Sequence, residues 1–585
     1  MKTSVVLLFA LAVVVVAKAD GAETFKVMNS AYNPTSWGYN HLPTESGLTL
    51  SDSFGGISFT GRYVSYTKAD TWYPIYASTG TMYSSWTDGS VNGEAGGNPN
   101  PRCAKFTGTD PMDLTFSVVG GKLVHNGANG PGGRNKFGRY PSAQLMYNDI
   151  WYYGTYLLEW TDRALFVPNS DWQVLQPFVG FRVSGDFGES WYDQTEPDNP
   201  LLENAHEKWI GAHGVAFNPY EVLIGAPHFV DFGYNLEHAP KDPATSRRWA
   251  YMVAHGADAA TDIAHNSWVS GDNIYLLRIL MPEGTDVEKN FAYMNNPANW
   301  QYYSNDGTYK TWNRDNLQEV YANIRPIVDA TGYLGNVGLT YNAPLKKFIM
   351  TLSRVDRADS LDTLVLEADA IDGDYKVVQY MKGFAVASYF MNIPSRFISD
   401  DGLIMWLCYS SNYQKIHSPS IGGSSYSMCL SEITLDPKQS ARGNRYEAES
   451  MKKVGQARLV VDAKCSNGGQ VNGLSRVGDG LEFWSKSKGR VLKMAVAGEG
   501  TTARRLSVYV NDQFAAKFIV TPTGEDRHTE HQIPLNIGYG DKVTMRIDAD
   551  DVSFNRIYGE MLAGEAFVRE GKQRFFGNID YVVVE

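Results

Sequence analysis

Short apolar runs separated by turn residues recur along most of the chain. Examples are WAYMVAH from Trp249, NIYLLRI from Asn273 and IMWLCYS from Ile404. Runs of this length, rich in aromatic and branched side chains and bounded by polar turns, predict strands. Helical periodicity is nearly absent, and we predict a helix only within Arg314 to Val328. The pattern therefore predicts an all-β protein.

A longer unit recurs five times in the first part of the chain. Each unit is a polar segment, a turn and an apolar-aromatic strand, and the units begin near Ala69, Gly138, Asn235, Gly335 and Met391. Their spacing of roughly 55 to 100 residues leaves room for one four-stranded sheet per unit. This predicts a five-bladed β-propeller over residues 20–438, with one strand of each blade beside the central axis.

The sequence changes character after a polar linker at 439–444. From Arg445 it reads RYEAESMKKVGQ, then CSNGGQVNGL, GDGLEFW, RRLSVYVNDQF and finally GNIDYVVVE. This order resembles the carbohydrate-binding modules of families 6 and 35 over essentially all of 445–585. The resemblance implies a C-terminal β-sandwich of the jelly-roll type and a structural Ca²⁺ site. The matching ligand positions are Glu447, Glu449 and Asp580, whose carboxylates are ligands that calcium prefers.

A second local resemblance concerns SGDFGESW from Ser184. It is similar to the Asp-box on the turn between outer strands of sialidase-type propeller blades. The resemblance implies that Asp186 caps a turn and lies away from any catalytic centre.

The N-terminus and the charge limit where the protein acts. Residues 1–19 have the basic start, apolar run and small-x-small end of a secretory signal peptide. A net charge of −12 without a basic run argues against nucleic acid and anionic membranes as partners. Cys408 and Cys429 lie in consecutive predicted strands and are disulfide candidates. We therefore expect a secreted, extracellular protein, and we expect a monomer. The resemblance to carbohydrate-binding modules implies a polysaccharide or glycan as the partner.

Titratable groups are densest in one stretch. Six of the eleven histidines lie between His206 and His265, interleaved with carboxylates. Such groups at strand ends and in loops are typical of a site on a β scaffold.

A secreted propeller followed by a sugar-binding module resembles carbohydrate-active enzymes such as glycoside hydrolase family 43. That resemblance implies a base, an acid and a carboxylate that tunes the acid, all at blade entries. We predict Asp70 as base or nucleophile, Glu237 as acid and Asp149 as tuner, although the second entry departs from the pattern by showing Arg139 and Tyr140 instead of a carboxylate. His238 and His255 are predicted substrate or proton-transfer partners. The substrate-binding candidates are Trp72, Arg139, Tyr140, His228, Tyr234 and Arg248, and no organic cofactor is expected.

Two other functions stay open at this point. A polysaccharide lyase would use His or Tyr for β-elimination on a uronate sugar, and His228, His238, His255, Tyr234 and Arg139 suit that chemistry. A non-catalytic, lectin-like protein would bind sugar without turnover. A retaining sialidase fits less well, because it needs three arginines and several good Asp-boxes. The five entries differ from one another, which favours one specialised site.

Overall fold

The structure is a computed structural model that describes residues 26–29, 35–37, 44–96, 101–123, 137–159, 174–192, 200–203, 222–256, 267–357, 360–385, 388–411, 426–437, 444–448, 451–461, 465, 469–485, 487–497, 504–520, 528–552 and 578–585. Within these ranges strands are the main element and helices are few and short, which confirms the all-β prediction. The predicted signal peptide and most of the predicted linker lie outside the described residues.

Five antiparallel sheets follow one another along the chain. Three strands come before the first sheet: β1 (Lys26–Asn29), β2 (Thr35–Trp37) and β3 (Phe54–Tyr66). Sheet 1 contains β4 (Lys68–Asp70), β5 (Ile75–Tyr76), β6 (Met82–Val91), β7 (Glu94–Ala95), β8 (Arg102–Thr107) and β9 (Thr115–Val119). Sheet 2 contains β10 (Phe137–Tyr147), β11 (Ile150–Glu159) and β12 (Val174–Ser184).

Sheets 3 to 5 continue the series. Sheet 3 contains β13 (Gly225–Phe229), β14 (Trp249–Gly256), β15 (Asn273–Leu280), β16 (Trp300–Tyr303), β17 (Tyr309–Thr311) and β18 (Pro326–Asp329). Sheet 4 contains β19 (Gly335–Asn342), β20 (Lys347–Arg357), β21 (Ser360–Ala368) and β22 (Lys376–Met381). Sheet 5 contains β23 (Ser388–Asn392), β24 (Ile404–Ser411) and β25 (Met428–Pro437), and β3 completes it by pairing with β25.

The C-terminal part holds two further layers of strands. Their bounds are β26 (Asn444–Glu447), β27 (Lys452–Val454), β28 (Arg458–Val461), β29 (Gly469–Asn472), β30 (Gly480–Trp484), β31 (Gly489–Ala497), β32 (Arg504–Val510), β33 (Gln513–Val520), β34 (Thr529–Ile537), β35 (Lys542–Arg546) and β36 (Asn578–Val584). One layer has the order β28-β29-β36-β31-β34, with β26 on β36; the other has the order β33-β32-β35-β30-β27. Side chains from both layers share one buried core.

The first strands of the five sheets lie beside one another in chain order. β10 packs against β5 and β13, and β13 packs against β19. A parallel bridge joins Asp231 to Thr340, so the chain at the end of β13 runs in the same direction as β19. The Thr340 hydroxyl donates to the carbonyl of Ile393, the residue after β23, at 2.7 Å. Asn392 then donates to the Trp72 carbonyl at 3.0 Å, which returns the series to sheet 1. The five first strands therefore surround a common space.

The N-terminal strand β2 connects the two parts of the molecule. Its residues Thr35 to Trp37 pair in parallel with Lys517 to Ile519 of β33, and Thr35 also pairs with Phe59 of β3. Sheet 5 and one C-terminal layer thus form a continuous eleven-stranded sheet. The sequence did not predict this junction.

Helices are short. α1 is Val287–Met294 and α2 is Leu317–Asn323, and 3-10 turns lie at Thr44–Ser46, Tyr234–Leu236, Pro297–Asn299, Arg314–Asn316 and Ser395–Phe397. The predicted helical segment contains α2, whereas α1 was missed. Asp286 caps α1 by accepting from the Lys289 amide, and buried Met294 with Val287 and Phe291 forms its apolar stripe.

Cys408 and Cys429 do not form a disulfide. Cys408 lies opposite Leu430 and Cys429 lies opposite Tyr409, so the two cysteines are one position out of register. Because successive strand residues face opposite sides of a sheet, their side chains enter different cores. All four cysteines are buried.

None of the helices in the described ranges has the length and apolar character required to span a membrane.

Candidate functional site

The space between the five first strands has two ends. We call the end where β4, β10, β13, β19 and β23 begin the entry end, and the opposite end the exit end. On β6, Thr87 pairs with Asp70 at the entry end and Met82 pairs with Tyr76 at the exit end. The five residues of β6 from one pairing position to the other span about 17 Å, so the two ends are well separated.

Asp70 lies at the entry end, almost completely buried. The ladder between β4 and β6 is irregular beside it, and Thr71 adopts a left-handed conformation with φ 67°. The Ser410 hydroxyl accepts from the Thr71 amide at 3.0 Å, which fixes this turn against sheet 5. The Asp70 carboxylate accepts hydrogen bonds from the Tyr389 hydroxyl and, at 3.0 Å, from the Thr71 hydroxyl. Asp70 is thereby held between sheets 1 and 5.

The environment of Asp70 favours its neutral form. Burial raises the pKa of its carboxyl well above the usual value, and the charge of Asp88 raises it further. The hydrogen bonds from Tyr389 and Thr71 oppose this rise without cancelling it. A carboxyl of this kind stays protonated at a pH where an exposed carboxyl is ionised.

Aromatic rings from several sheets gather around Asp70. Tyr389 contacts Trp268 and Phe390, with ring centroids 5.1 and 4.8 Å apart. Tyr73 lies 5.5 Å from Phe390 and 4.3 Å from His228. The rings come from sheets 1, 3 and 5, and such flat surfaces suit packing against sugar faces.

Several buried polar atoms near Asp70 have no partner within the described residues. They are the hydroxyls of Tyr73 and Tyr156. Both ends of the side-chain amide of Asn336, which lines a cavity together with Tyr73, also have no partner there. Asp70 is close enough to both tyrosines for its charge to raise their pKa, after burial as the larger cause. Because unpaired buried polar groups are costly, such atoms mark a place where a ligand or water completes the bonding.

Asp88 is a site residue that the sequence reasoning missed. It lies on β6 at the irregular step between the Ala69–Gly89 and Asp70–Thr87 pairs. Burial raises its pKa to about 6, and its charge acts on Asp70, Tyr140 and Tyr156. In the sequence, Thr87-Asp88-Gly89 has the composition of an ordinary turn.

The exit end holds most of the other predicted catalytic residues. Glu237 and His238 are exposed by 52% and 43%, with 3.7 Å between the Glu237 carboxylate and His238 Nε2. Both follow Tyr234, whose ring lies 5.8 Å from that of Tyr76. The structure therefore does not bring Asp70 and Glu237 together, and the predicted acid and base pair is revised for this reason.

Asp149 and Arg248 also lie away from Asp70. Asp149 is in the turn between β10 and β11, where it accepts from the amide of Ser78 at 2.8 Å and from the Ser78 hydroxyl at 2.5 Å. Arg248 donates to the Ala239 carbonyl at 2.7 Å, beyond the Tyr234 turn. These contacts stabilise loops at the exit end, and Asp149 is not placed to tune Asp70.

Trp72 and His255 are structural in their contacts. Trp72 is fully buried and donates to the Ala69 carbonyl at 2.7 Å, so it supports the Asp70 turn from beneath and is not a binding surface. His255, also fully buried, has its Nε2 2.9 Å from the Ser267 carbonyl. Burial lowers the pKa of His255 to about 4, which makes it a neutral core residue at neutral pH and not a proton-transfer group.

His228 and Tyr140 stay with the site. His228 lines a cavity of about 80 Å³ between the five first strands. Burial lowers the pKa of His228 to about 3, so it faces the cavity as a neutral ring. Tyr140 is buried on β10 near Asp88. Arg139 lies on the same strand, but its side chain is outside the description, as are His206, His213 and His265 entirely.

The neutral state of buried His255 predicts how the stability of the fold depends on pH. Its folded pKa lies below the usual 6.5, so its contribution to stability is complete above pH 6.5 and is lost as the pH falls to about 4. The loss is on the order of 3 kcal/mol. We expect the melting-temperature gap between wild type and His255→Gln to narrow steadily between pH 7 and pH 4.5. The exposed His238→Gln variant is the control, and a constant gap for His255→Gln would contradict the assignment.

The Ca²⁺ ligands implied by the C-terminal resemblance are only partly described. Glu447 accepts from Arg445 at 2.8 Å, and Asp580 is buried on β36, whereas Glu449 lies outside the described residues. Elsewhere in this part, oxygens of Asp548, Asp550 and Asp551 lie within 4.8 Å of one another. Arg505 and Lys517 already neutralise the last two. The Ca²⁺ site at Glu447, Glu449 and Asp580 stays a prediction.

Comparison with known proteins gives distant structural likenesses. No family model and no curated protein matches the chain. The chain is similar to the exo-β-1,3-galactanase of Phanerochaete chrysosporium with galactose, at 14% identity, with 76% of this chain and 95% of that chain covered and a TM-score of 0.26. It is also similar to a family 43 arabinoxylan arabinofuranohydrolase of Bacillus subtilis, at 13% identity, with 94% and 95% covered and a TM-score of 0.29.

A further likeness is to a family 35 carbohydrate-binding module of Clostridium thermocellum, at 21% identity, with 25% of this chain and 98% of that chain covered and a TM-score of 0.19. With TM-scores this low, none of these likenesses assigns a function to the chain.

Proposed function

We propose that the protein is a secreted glycoside hydrolase whose five sheets are the blades of a β-propeller and whose active site lies at the entry end around Asp70. The observation that carries the proposal is the setting of Asp70. It is a buried carboxyl held by Tyr389 from another sheet, beside aromatic rings and polar atoms without partners. Enzymes that cleave glycosidic bonds need a carboxyl kept protonated near neutral pH.

In this proposal Asp70 is the general acid, and not the base suggested by the sequence. Its raised pKa supplies a proton for the glycosidic oxygen as the bond to the anomeric carbon breaks. Tyr73, Trp268 and Tyr389 offer ring faces to the sugar. The hydroxyl of Tyr156 and the amide of Asn336 supply hydrogen bonds to sugar hydroxyls, which accounts for their lack of other partners.

The charge near Asp70 favours hydrolysis of a glycan without uronate at the cleaved bond. Within the described residues the charged neighbour of Asp70 is another carboxylate, Asp88. A polysaccharide lyase needs a cationic group or a metal to neutralise the uronate, whereas the ionised Asp88 carboxylate repels a uronate. The chemistry of this end therefore supports the hydrolase over the lyase.

The C-terminal part is proposed to bind the same glycan as a β-sandwich carbohydrate-binding module. Its two layers share one core, and strand β2 fixes it to sheet 5. An attached module of this kind would hold the enzyme at its substrate by raising the local substrate concentration. Signal cleavage near residue 19 and Ca²⁺ binding belong to the same proposal.

The test is turnover on a panel of neutral and uronate-containing polysaccharides, with wild type and Asp70→Asn compared at equal concentration. A hydrolase produces new reducing ends without ultraviolet absorbance from an unsaturated uronate, and Asp70→Asn abolishes them. Absorbance with uronate substrates would establish the lyase instead. Binding without any product on the whole panel would support the lectin-like alternative.

A further inference from the structure

Asp88 lies at an irregular position on β6, and this irregularity determines which groups lie beside it. The ladder to β4 changes register between Ala69 and Asp70, and Asp88 adopts a left-handed conformation with φ 30°. Gly89 follows with φ 105°, and a Cβ on it would lie 1.8 Å from the Lys68 carbonyl oxygen. Only glycine fits there, because β4 and β6 approach so closely. This step places Asp88 beside Asp70 although Thr87 is the residue that pairs with Asp70.

A role as a turn residue would explain the left-handed backbone of Asp88 but not the absence of a hydrogen-bond partner for its carboxylate among the described residues. Aspartate in a turn normally accepts a hydrogen bond from a backbone amide two residues on. Asp186 caps its own turn in a related way, accepting from the Ser190 amide four residues on at 2.9 Å and from the Ser184 hydroxyl at 2.7 Å. The half-buried Asp88 carboxylate accepts no hydrogen bond and forms no ion pair with any residue that the structure describes. Its setting is therefore not that of a turn cap.

The neighbours of Asp88 are the other groups of the entry end. Its charge acts on the carboxyl of Asp70 and on the hydroxyls of Tyr140, Tyr156 and Tyr389. These residues come from sheets 1, 2 and 5. Asp88 thus faces the same space as Asp70, with a free carboxylate and more solvent access than Asp70 has.

Resting on the proposed function, we infer that Asp88 is the second carboxylate of the hydrolysis and acts as its general base. Asp70 gives its proton to the glycosidic oxygen while the bond from that oxygen to the anomeric carbon breaks. The oxygen of a water molecule bonds to the anomeric carbon, and the proton it loses goes to Asp88. The proton then returns to Asp70 through solvent, so that both carboxyls regain their starting states.

The difference between the two carboxyls supports this division of roles. Asp70 is buried and hydrogen-bonded, whereas Asp88 is half-buried without a partner. Burial raises the pKa of Asp70 well above its usual value, whereas Asp88, with a pKa of about 6, is mostly ionised at neutral pH. Two neighbouring carboxyls held in different protonation states are the arrangement that acid and base catalysis needs.

The experiment compares Asp88→Asn, Asp88→Gly and Asp70→Asn on aryl glycosides of the sugar found in the substrate panel. Asparagine and glycine both accept a left-handed backbone, so both Asp88 variants keep the β6 step. Asp374→Asn is the control, because that carboxylate is 81% exposed in the loop before β22. Melting temperatures and circular dichroism check that each variant is folded.

We expect Asp88→Asn to lower kcat about 100-fold or more, by the same factor for good and poor leaving groups. The acidic limb of the pH profile, where Asp88 must be ionised, is expected to disappear. Azide or formate is expected to restore turnover in Asp88→Gly by filling the space of the lost carboxylate. The reduction of kcat in Asp70→Asn, in contrast, is expected to become smaller as the leaving group improves, because a good leaving group needs no proton.

Two outcomes separate this inference from the proposed function. If folded Asp88→Asn keeps activity within about threefold of wild type while Asp70→Asn is inactive, the inference on Asp88 is overturned and the hydrolase stands. If both variants keep full activity, the entry end is not the active site and the proposed function fails. Should Asp88→Asn not fold, rescue of Asp88→Gly by azide decides the question, and its absence in folded protein overturns the inference.

Discussion

Asp70→Asn is expected to lower kcat by about 100- to 10,000-fold, the range that a positioned general acid contributes. The amide has the shape of the carboxyl and keeps an oxygen to accept from Tyr389 or Thr71, but it has no proton to give. Because burial already favours the neutral carboxyl, the neutral amide is expected to change the melting temperature little. Steady-state kinetics on the best substrate of the panel, with calorimetry on the same samples, measure both effects.

The matched control is Asp401→Asn. This carboxylate is exposed at the turn before β24, where it accepts from the Leu403 amide at 3.0 Å and from the Ser399 hydroxyl at 2.6 Å. We expect full activity in this variant. A folded Asp70→Asn protein with wild-type kcat would remove Asp70 from the reaction.

Asp551→Asn is expected to destabilise the C-terminal part by about 3–5 kcal/mol, the usual cost of removing one partner from a buried ion pair. Asp551 is fully buried and binds Arg505 Nε and Lys517 Nζ, each at 2.8 Å, and the Ser507 hydroxyl at 2.6 Å. Burial alone would raise the pKa of Asp551, but Lys517 and Arg505 hold it below its usual value. Without this carboxylate, two largely buried cations lose their buried counter-charge and keep only the exposed Asp550.

The neighbouring Asp550→Asn variant is the control for this effect. Asp550 touches the same two cations, at 2.7 Å from Arg505 and 2.9 Å from Lys517, but is 60% exposed. Pairs open to solvent contribute about 0–1 kcal/mol. Urea unfolding followed by near-ultraviolet circular dichroism compares the two variants, and equal losses in both would show that burial of Asp551 does not set the effect.

The series of sheets was predictable because each contains a strongly apolar-aromatic run. The first strand of sheet 3 was not, because GAPHF from Gly225 is shorter and less apolar than WAYMVAH from Trp249. Taking the second run as the first strand reversed the direction of the sheet. Glu237, which lies between the two, was thereby assigned to the entry end, while the structure has it exposed at the exit end.

Within the site, the sequence identified Asp70 but not its surroundings. Carboxylates next to strands are common, and what distinguishes Asp70 is burial and contact with Tyr389, 319 residues away. Asp88 was missed because an extra residue in a strand ladder leaves no mark in the sequence other than turn-like composition. His255, in contrast, was predicted as a site residue but is a buried structural residue. Nothing in WAYMVAHG indicates that its ring bonds to the Ser267 carbonyl.

The most direct measurement is a crystal structure of the Asp70→Asn variant soaked with an oligosaccharide of the substrate found in the panel. We predict sugar density at the entry end, with the glycosidic oxygen within hydrogen-bond distance of Asn at position 70 and sugar rings against Trp268 or Tyr389. Sugar bound only at the exit end, near Tyr234 and Glu237, with the entry end filled by protein side chains, would contradict the assignment.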